Sequence, residues 1–186
     1  MKSFQKEVLP MPVAIPNAVL QIDGGILLFI QNNLRSPMMT QVFKFLSDYG
    51  VIIMGVYVVL MLIWDKRKIF PIAAACVISG QLSKFIVGLI KNYVMRSRPF
   101  HDIAALVPLK RPKGFSFPSG HTTLAFAVAF IVYRILPKKY GIPAICMAVL
   151  VAFSRLYMGV HYPTDILGAI CVGYMVAWIT EFLYKR

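Results

Sequence analysis

Acidic residues are scarce in this chain: 7 Asp and Glu stand against 20 Lys and Arg, for a net charge of +13 at neutral pH. Between residues 91 and 165 only Asp102 and Asp165 carry a carboxylate, so that stretch offers no oxygen cage for a hard divalent cation. Cysteine is rarer still. Cys76, Cys146 and Cys171 sit singly inside apolar runs, an odd number with no CxxC pair. That excludes a disulfide framework and a zinc site and leaves three small packing residues. The chain also lacks a nucleic-acid reading motif, so its basic balance does not point to DNA or RNA. Lys2 and Lys6 are followed by Pro10, Pro12 and Pro16 rather than by an apolar core, which argues against a cleavable signal peptide. No internal repeat stands out.

Apolar sequence is abundant instead. Hydrophobic residues make up 59% of the 186 positions, charged residues 15%, and the mean hydropathy is +0.71. A soluble domain is roughly half apolar; this excess reads as one membrane-embedded, all-α domain over 1–186. Residues 1–22 read as an extended, proline-punctuated arm. Residues 24–47 read as an amphipathic helix or helix pair lying in the interface, because Gln31, Asn32, Asn33 and Arg35 break the apolar pattern; a packed sixth span is the alternative. The catalytic bundle then covers 48–186. Its spans are expected at 49–64 (extending back toward Phe45), 71–90, 121–136, 142–160 and 166–184, with Pro143 in the first turn of the fourth. Trp64, Trp178 and Tyr184 lie near span ends, where aromatic residues gather.

Three stretches between these spans carry chemistry: Lys91, six residues, Arg98-Pro99; Pro118-Ser119-Gly120-His121; and Ser154-Arg155, five residues, His161, three residues, Asp165. The first two flank one loop, and two further crossings bring the third back to the same membrane face. The opposite face holds the short basic loops 65–69 and 137–140 and the Lys-Arg end. The positive-inside rule makes that face cytoplasmic and the motif face extracytoplasmic, in a multi-pass protein of the cell membrane.

The converging residues suit phosphoryl transfer, in which negative charge spreads over three equatorial oxygens. Lys91, Arg98 and Arg155 supply fixed positive charge. Ser119-Gly120 precedes an apolar helix, whose first N–H groups form an anion site. Of the two histidines, one attacks phosphorus and the other protonates the departing oxygen. Asp165, four residues after His161, can fix the tautomer that leaves the attacking nitrogen bare, so His161 is the candidate nucleophile and His121 the candidate acid. Each residue alone has a plainer reading: an interfacial histidine, a snorkelling arginine, a Pro-Ser-Gly turn. Their coincidence on one face favours the functional reading.

The three stretches together resemble the signature of the type-2 phosphatidic acid phosphatase superfamily, which shares its site with vanadium haloperoxidases and bacterial acid phosphatases. The signature is complete and ordered over residues 91–165. The resemblance implies an all-helical bundle, no metal or other cofactor, a phosphohistidine at His161, a general acid at His121, and phosphate ligands at Lys91, Arg98, Ser119, Gly120 and Arg155. The size and spans resemble bacterial members that act on undecaprenyl diphosphate or phosphatidylglycerophosphate. A polyprenyl diphosphate is the leading substrate and a glycerophospholipid phosphate the alternative, with the lipid bilayer as a further partner and no nucleic acid. A vanadate-loaded haloperoxidase would have no need of spans, and a non-catalytic binder no need of His121, His161 and Asp165. Arg96 has two readings, a second phosphate contact or an interfacial cation. Lys110, Arg111 and Lys113 likewise either grip a second phosphate or anionic lipid, or form a solvated loop. Lys84, two helical turns before Lys91, is expected to face a polar cavity below the site; His101 reads as a loop residue.

Overall fold

A computed structural model describes residues 15–64 and 69–185. The arm over residues 1–14, the basic loop 65–68 and Arg186 lie outside these described residues. The fold is all-α: α1 (Asn17–Phe29), a π-helical turn (Ile30–Leu34), α2 (Pro37–Trp64), α3 (Ile69–Val94), the short α4 (Pro99–Asp102), α5 (Gly120–Ile135), α6 (Lys138–Tyr157) and α7 (Pro163–Tyr184). Among the described residues, α2, α3, α6 and α7 are long and apolar enough to cross a bilayer, and α5 is a shorter apolar helix of 16 residues.

Prolines set several boundaries. Arg35 is extended (φ −77°, ψ 120°) and α2 starts at Pro37 two residues later. Leu136, just before Pro137, is also extended (φ −110°, ψ 165°) and ends α5. Pro163 opens α7, where its missing N–H costs nothing.

Three expectations shift. The helical region begins at Asn17 rather than at residue 24, because α1 is fixed by burial of Asp23, Gly24 and Leu27 that its local pattern does not reveal. Residues 37–47 are not a separate helix; they form the first turns of α2, which runs unbroken to Trp64. Pro143 lies inside α6, which starts at Lys138. The carbonyl Pro143 would have bonded is that of Lys139, exposed at the helix start, so water can satisfy it.

α5 is the central helix, packed by α3, α6 and α7, with α2 on α6 and α1 against α7. Helices in lipid gain little from hydrophobic burial and associate through close packing. Ala125, Ala127 and Ala129 of α5, Ala144 and Ala148 of α6, and Ala169 and Ala177 of α7 are buried accordingly. At Gly173 of α7 an added Cβ would stand 3.0 Å from both Phe126 Cβ and the Thr123 carbonyl, so any larger residue would push α7 off α5. Between α2 and α3 the packing opens into an apolar groove of about 300 Å³, lined by Met54, Val58, Cys76, Leu124 and Val128 among others.

Candidate active site

His161 sits in the connection from α6 to α7 and is buried. The chain leaves α6 through Gly159, whose φ of +69° is left-handed; a side chain there would also press on Arg35 Nη2, 3.3 Å from the Cβ position. Arg35 donates to the carbonyls of Val107 (2.6 Å) and Tyr157 (3.0 Å), tying this turn to the loop after α4.

The two nitrogens of His161 face different surroundings. Nδ1 lies 3.4 Å from Asp165 Oδ2 and 3.5 Å from Ser116 Oγ. Nε2 lies 3.5 Å from Arg98 Nη1. With an acceptor carboxylate on the Nδ1 side, the hydrogen belongs on Nδ1 and Nε2 keeps its lone pair. Burial pushes the imidazole down to about 4, against the pull of the Asp165 hydrogen bond and charge and with the help of Arg155 and Arg98. The ring is therefore neutral near pH 7 and able to attack.

Asp165 stands in the first turn of α7, where a carboxylate is favoured by the helix N-terminus. Oδ2 accepts from the Tyr162 N–H at 2.8 Å and from Ser116 Oγ. Oδ1 accepts from Arg96 Nη1 at 2.7 Å. Arg96 thus takes neither of its two expected roles. It is buried beside the Tyr162 ring (3.9 Å), and its other nitrogen donates to Asp23 Oδ2 at 2.8 Å.

The cations of the motifs converge in front of the ring. Arg98 donates to the carbonyls of Val160 (3.0 Å), Gly114 (2.9 Å) and Lys113 (3.3 Å). Lys91, in the last turn of α3, donates to the Phe115 carbonyl. Arg155, in the last turn of α6, donates to the Ser47 carbonyl at 3.2 Å and to the Ser47 hydroxyl. Its buried Nε has no hydrogen-bond partner among the described residues. All three hold neutral partners that an anion can replace. Ser119 is the residue before α5, held by its N–H to the Asp165 carbonyl (3.3 Å), so the first N–H groups of the helix, at Gly120 and His121, follow directly on a residue tied to the turn that carries Asp165.

His121 lines a cleft of about 580 Å³ with Lys91, Gly120, Asp48, Ser83 and Lys84. Lys84 therefore faces the same cavity as the acid candidate. Val51 and Leu124 line both this cleft and the apolar groove between α2 and α3, so the two spaces adjoin. The remaining loop residues divide. Lys110 pairs with Asp48 of α2 at the cleft edge. Arg111 lies over the Phe100 ring at 5.6 Å, the side chain of Lys113 is exposed, and exposed His101 packs on Phe100. Sequence reasoning passed over Asp23, Ser47, Asp48, Ser116 and Thr164. Asp23 and Asp48 had one available signal: carboxylates in a chain nearly devoid of them, set among apolar residues.

The family model described as the PAP2 superfamily matches residues 71–185. Undecaprenyl-diphosphatase BcrC of Bacillus subtilis (strain 168) is 30% identical over 159 residues, covering 82% of this chain and 76% of that protein. An undecaprenyl-diphosphatase of Sulfolobus acidocaldarius is 33% identical over 138 residues, covering 73% of this chain and 66% of that one. A crystal structure described as the first transmembrane PAP2 type phosphatidylglycerolphosphate phosphatase, from Bacillus subtilis, superposes with a TM-score of 0.73 at 25% identity, covering 91% of this chain and 88% of that one.

Proposed function

This chain belongs to the PAP2 superfamily, and we propose that it is a multi-pass membrane phosphatase that hydrolyses a lipid diphosphate, undecaprenyl diphosphate above all, through a phosphohistidine on His161. One observation carries the reading. The bare Nε2 of His161 faces Arg98 beside a cleft lined by His121 and Lys91, and that cleft adjoins an apolar groove between two spanning helices. A head group at the ring and a hydrocarbon chain in the groove would use both spaces at once. The two undecaprenyl-diphosphatases support the choice of substrate.

In the first step His161 Nε2 forms a bond to the terminal phosphorus and the bridging P–O bond breaks. Lys91, Arg98 and Arg155 take up the charge on the equatorial oxygens, together with the first N–H groups of α5. His121 gives its proton to the departing oxygen of the lipid monophosphate. In the second step His121 takes a proton from water, the hydroxide attacks phosphorus, and inorganic phosphate leaves with the N–P bond broken. Asp165 offsets the positive charge of the His161 ring between the two steps. The motif face is extracytoplasmic on this reading, supported by Lys138, Lys139 and Lys185 at the opposite helix ends.

A glycerophospholipid phosphate is the second reading, favoured by the fold shared with the phosphatidylglycerolphosphate phosphatase of Bacillus subtilis. Phosphate release from a panel of purified lipid phosphates and diphosphates, in detergent with excess chelator, tests both. The leading reading expects the highest kcat/KM for the prenyl diphosphate and turnover that survives the chelator. Preference for phosphatidylglycerophosphate would install the second reading, and activity restored only by added magnesium would remove the mechanism. Impermeant thiol labelling of intact cells tests the face: Lys113→Cys should react and Lys138→Cys should not.

A further inference from the structure

Taking the phosphatase reading as its basis, we propose that Asp23 of α1 is a positioning residue of the catalytic machinery, acting on His161 through Arg96 and Asp165. The four side chains form one buried line. Asp23 Oδ2 accepts from Arg96 Nη2 at 2.8 Å, Arg96 Nη1 donates to Asp165 Oδ1 at 2.7 Å, and Asp165 Oδ2 faces His161 Nδ1 at 3.4 Å. Relative exposures are 1% for Asp23, 2% for Arg96 and 0% for Asp165, so water screens none of these charges. α1 lies outside residues 71–185, which the family model matches.

Charge bookkeeping along the line gives Asp23 its purpose. Asp165 and Arg96 alone would form a neutral pair, leaving little negative charge for the ring. Asp23 offsets the guanidinium from its far side. The trio then carries one net negative charge, with Asp165 Oδ2 as the carboxylate oxygen facing His161. That charge is balanced only when the ring becomes positive during attack, which favours the transition state over the resting enzyme. Arg96 suits the middle place because its planar fork holds two carboxylates at fixed angles.

Asp23 also sets position. Oδ1 accepts from the Thr164 N–H at 3.1 Å, and Oδ2 accepts from Thr164 Oγ1. Arg96 Nη1 reaches the same hydroxyl at 2.6 Å. An acid from α1 thus caps the first turn of α7, the turn that carries Asp165. Leu27 of α1 packs with Leu106 and Tyr162, which seats the helix on the residue next to His161. A shift of α1 is therefore felt at the ring through both backbone and charge.

The test uses the full chain purified in detergent, comparing Asp23→Asn, which keeps the shape without the charge, with Asp23→Glu, which restores it. The expected result for Asp23→Asn is a kcat loss of roughly 10- to 100-fold, the range seen for partners that orient metal-bound histidines. KM and vanadate inhibition should stay within about 2-fold, since the cations in front of the ring are untouched. Asp23→Glu should recover a substantial part of kcat. Nitrogen NMR of histidine-labelled protein reads the same link without turnover, with the His161 signals assigned by their loss in His161→Gln. The wild type and Asp23→Glu should hold the hydrogen on Nδ1, and Asp23→Asn should mix the tautomers. An Asp23→Asn kcat within 2-fold of wild type with an unchanged tautomer would overturn the assignment. So would equal loss of kcat and vanadate affinity with no recovery in Asp23→Glu, which marks general damage to the fold. If the wild type hydrolyses no lipid phosphate, the functional reading fails, while the tautomer comparison still decides whether Asp23 governs the ring.

Discussion

Behind the His161 ring, Arg96 is shared between two carboxylates, Asp23 and Asp165. In front of it, Lys91, Arg98 and Arg155 have no carboxylate in hydrogen-bonding range among the described residues; they bond backbone carbonyls and one serine hydroxyl, and Arg98 also meets the ring itself. The rear pairs its charges without a substrate, as buried charges must be paired if the fold is to tolerate them, and among the described residues only Arg96 Nε is left without a partner there. On the proposed reading, the front is completed by the phosphate of the substrate. The comparison teaches where binding and chemistry separate. Changes in front should alter how phosphate is held, and changes behind should alter how well the ring attacks.

The largest break is removal of the ring itself. His161→Ala should lower turnover by about 10⁴-fold or more, the scale seen when a nucleophile is lost, while vanadate still binds the cations in front. Rapid quench with labelled substrate should trap acid-labile, base-stable phosphate on the wild type and none on the variant. Label on His161→Ala would move the nucleophile elsewhere.

The next break is at the histidine that lines the cleft. His121→Ala should reduce turnover by about 10²- to 10⁴-fold on a lipid substrate, the usual contribution of a general acid. The loss should shrink on a nitrophenyl phosphate, whose leaving group needs no proton. An equal loss on both substrates would deny His121 its role and assign it to binding.

How much of this division could be read from the chain? The front could, nearly in full. Its residues lie in three short stretches at span ends, and span order alone brings those stretches to one face. Lys91, Arg98, Arg155, Ser119, Gly120 and His121 all stand at helix ends around the ring, where charge and orphan N–H groups are tolerated next to lipid. The rear could not. Arg96 is ambiguous in the sequence because one of its partners, Asp23, is 73 residues away, in a mostly apolar helix whose acid sits beside two glycines. Contacts of that kind are set by packing and leave no period in the sequence. The same cause conceals the start of α1 and the continuity of residues 37–47 with the rest of α2. Ser116 and Ser47 were missed for another reason: a serine in a loop or at a helix face is too common to signal a partner.

A subtler probe works through protonation. The His161 imidazole is pushed down to about 4, with burial the largest cause. Protonated, the ring has no lone pair for phosphorus, so activity is lost as pH falls through the folded value. The acid limb of the kcat/KM profile should therefore fall about tenfold per unit below pH 4, separate from the basic limb set by the proton of His121, once the substrate's own ionisation, measured by phosphorus NMR, is divided out. An acid limb near the ordinary histidine value would mean that the ring is far wetter than its burial implies.

The smallest effect belongs to the loop cations, which sharpen the boundary of the front. Lys113 turns its carbonyl, not its ammonium, toward Arg98. Its side chain is exposed, and the guanidinium of Arg111 lies over Phe100. Neither lines the cleft beside His121. Exposed charges at such distances are screened within about 10 Å at ordinary ionic strength. Lys113→Ala and Arg111→Ala should each change kcat/KM by less than about 2-fold in neutral detergent, within the range of surface charges that make no fixed contact. Lys110 differs, because its ammonium holds Asp48 at the mouth of the cleft. Lys110→Ala leaves that carboxylate facing an incoming phosphate unopposed, so KM should rise by several-fold with kcat nearly unchanged. Measured side by side, the three variants separate a cation that guards the entrance from two that merely stand near it. Equal KM changes for all three would instead make the loop a diffuse basic surface.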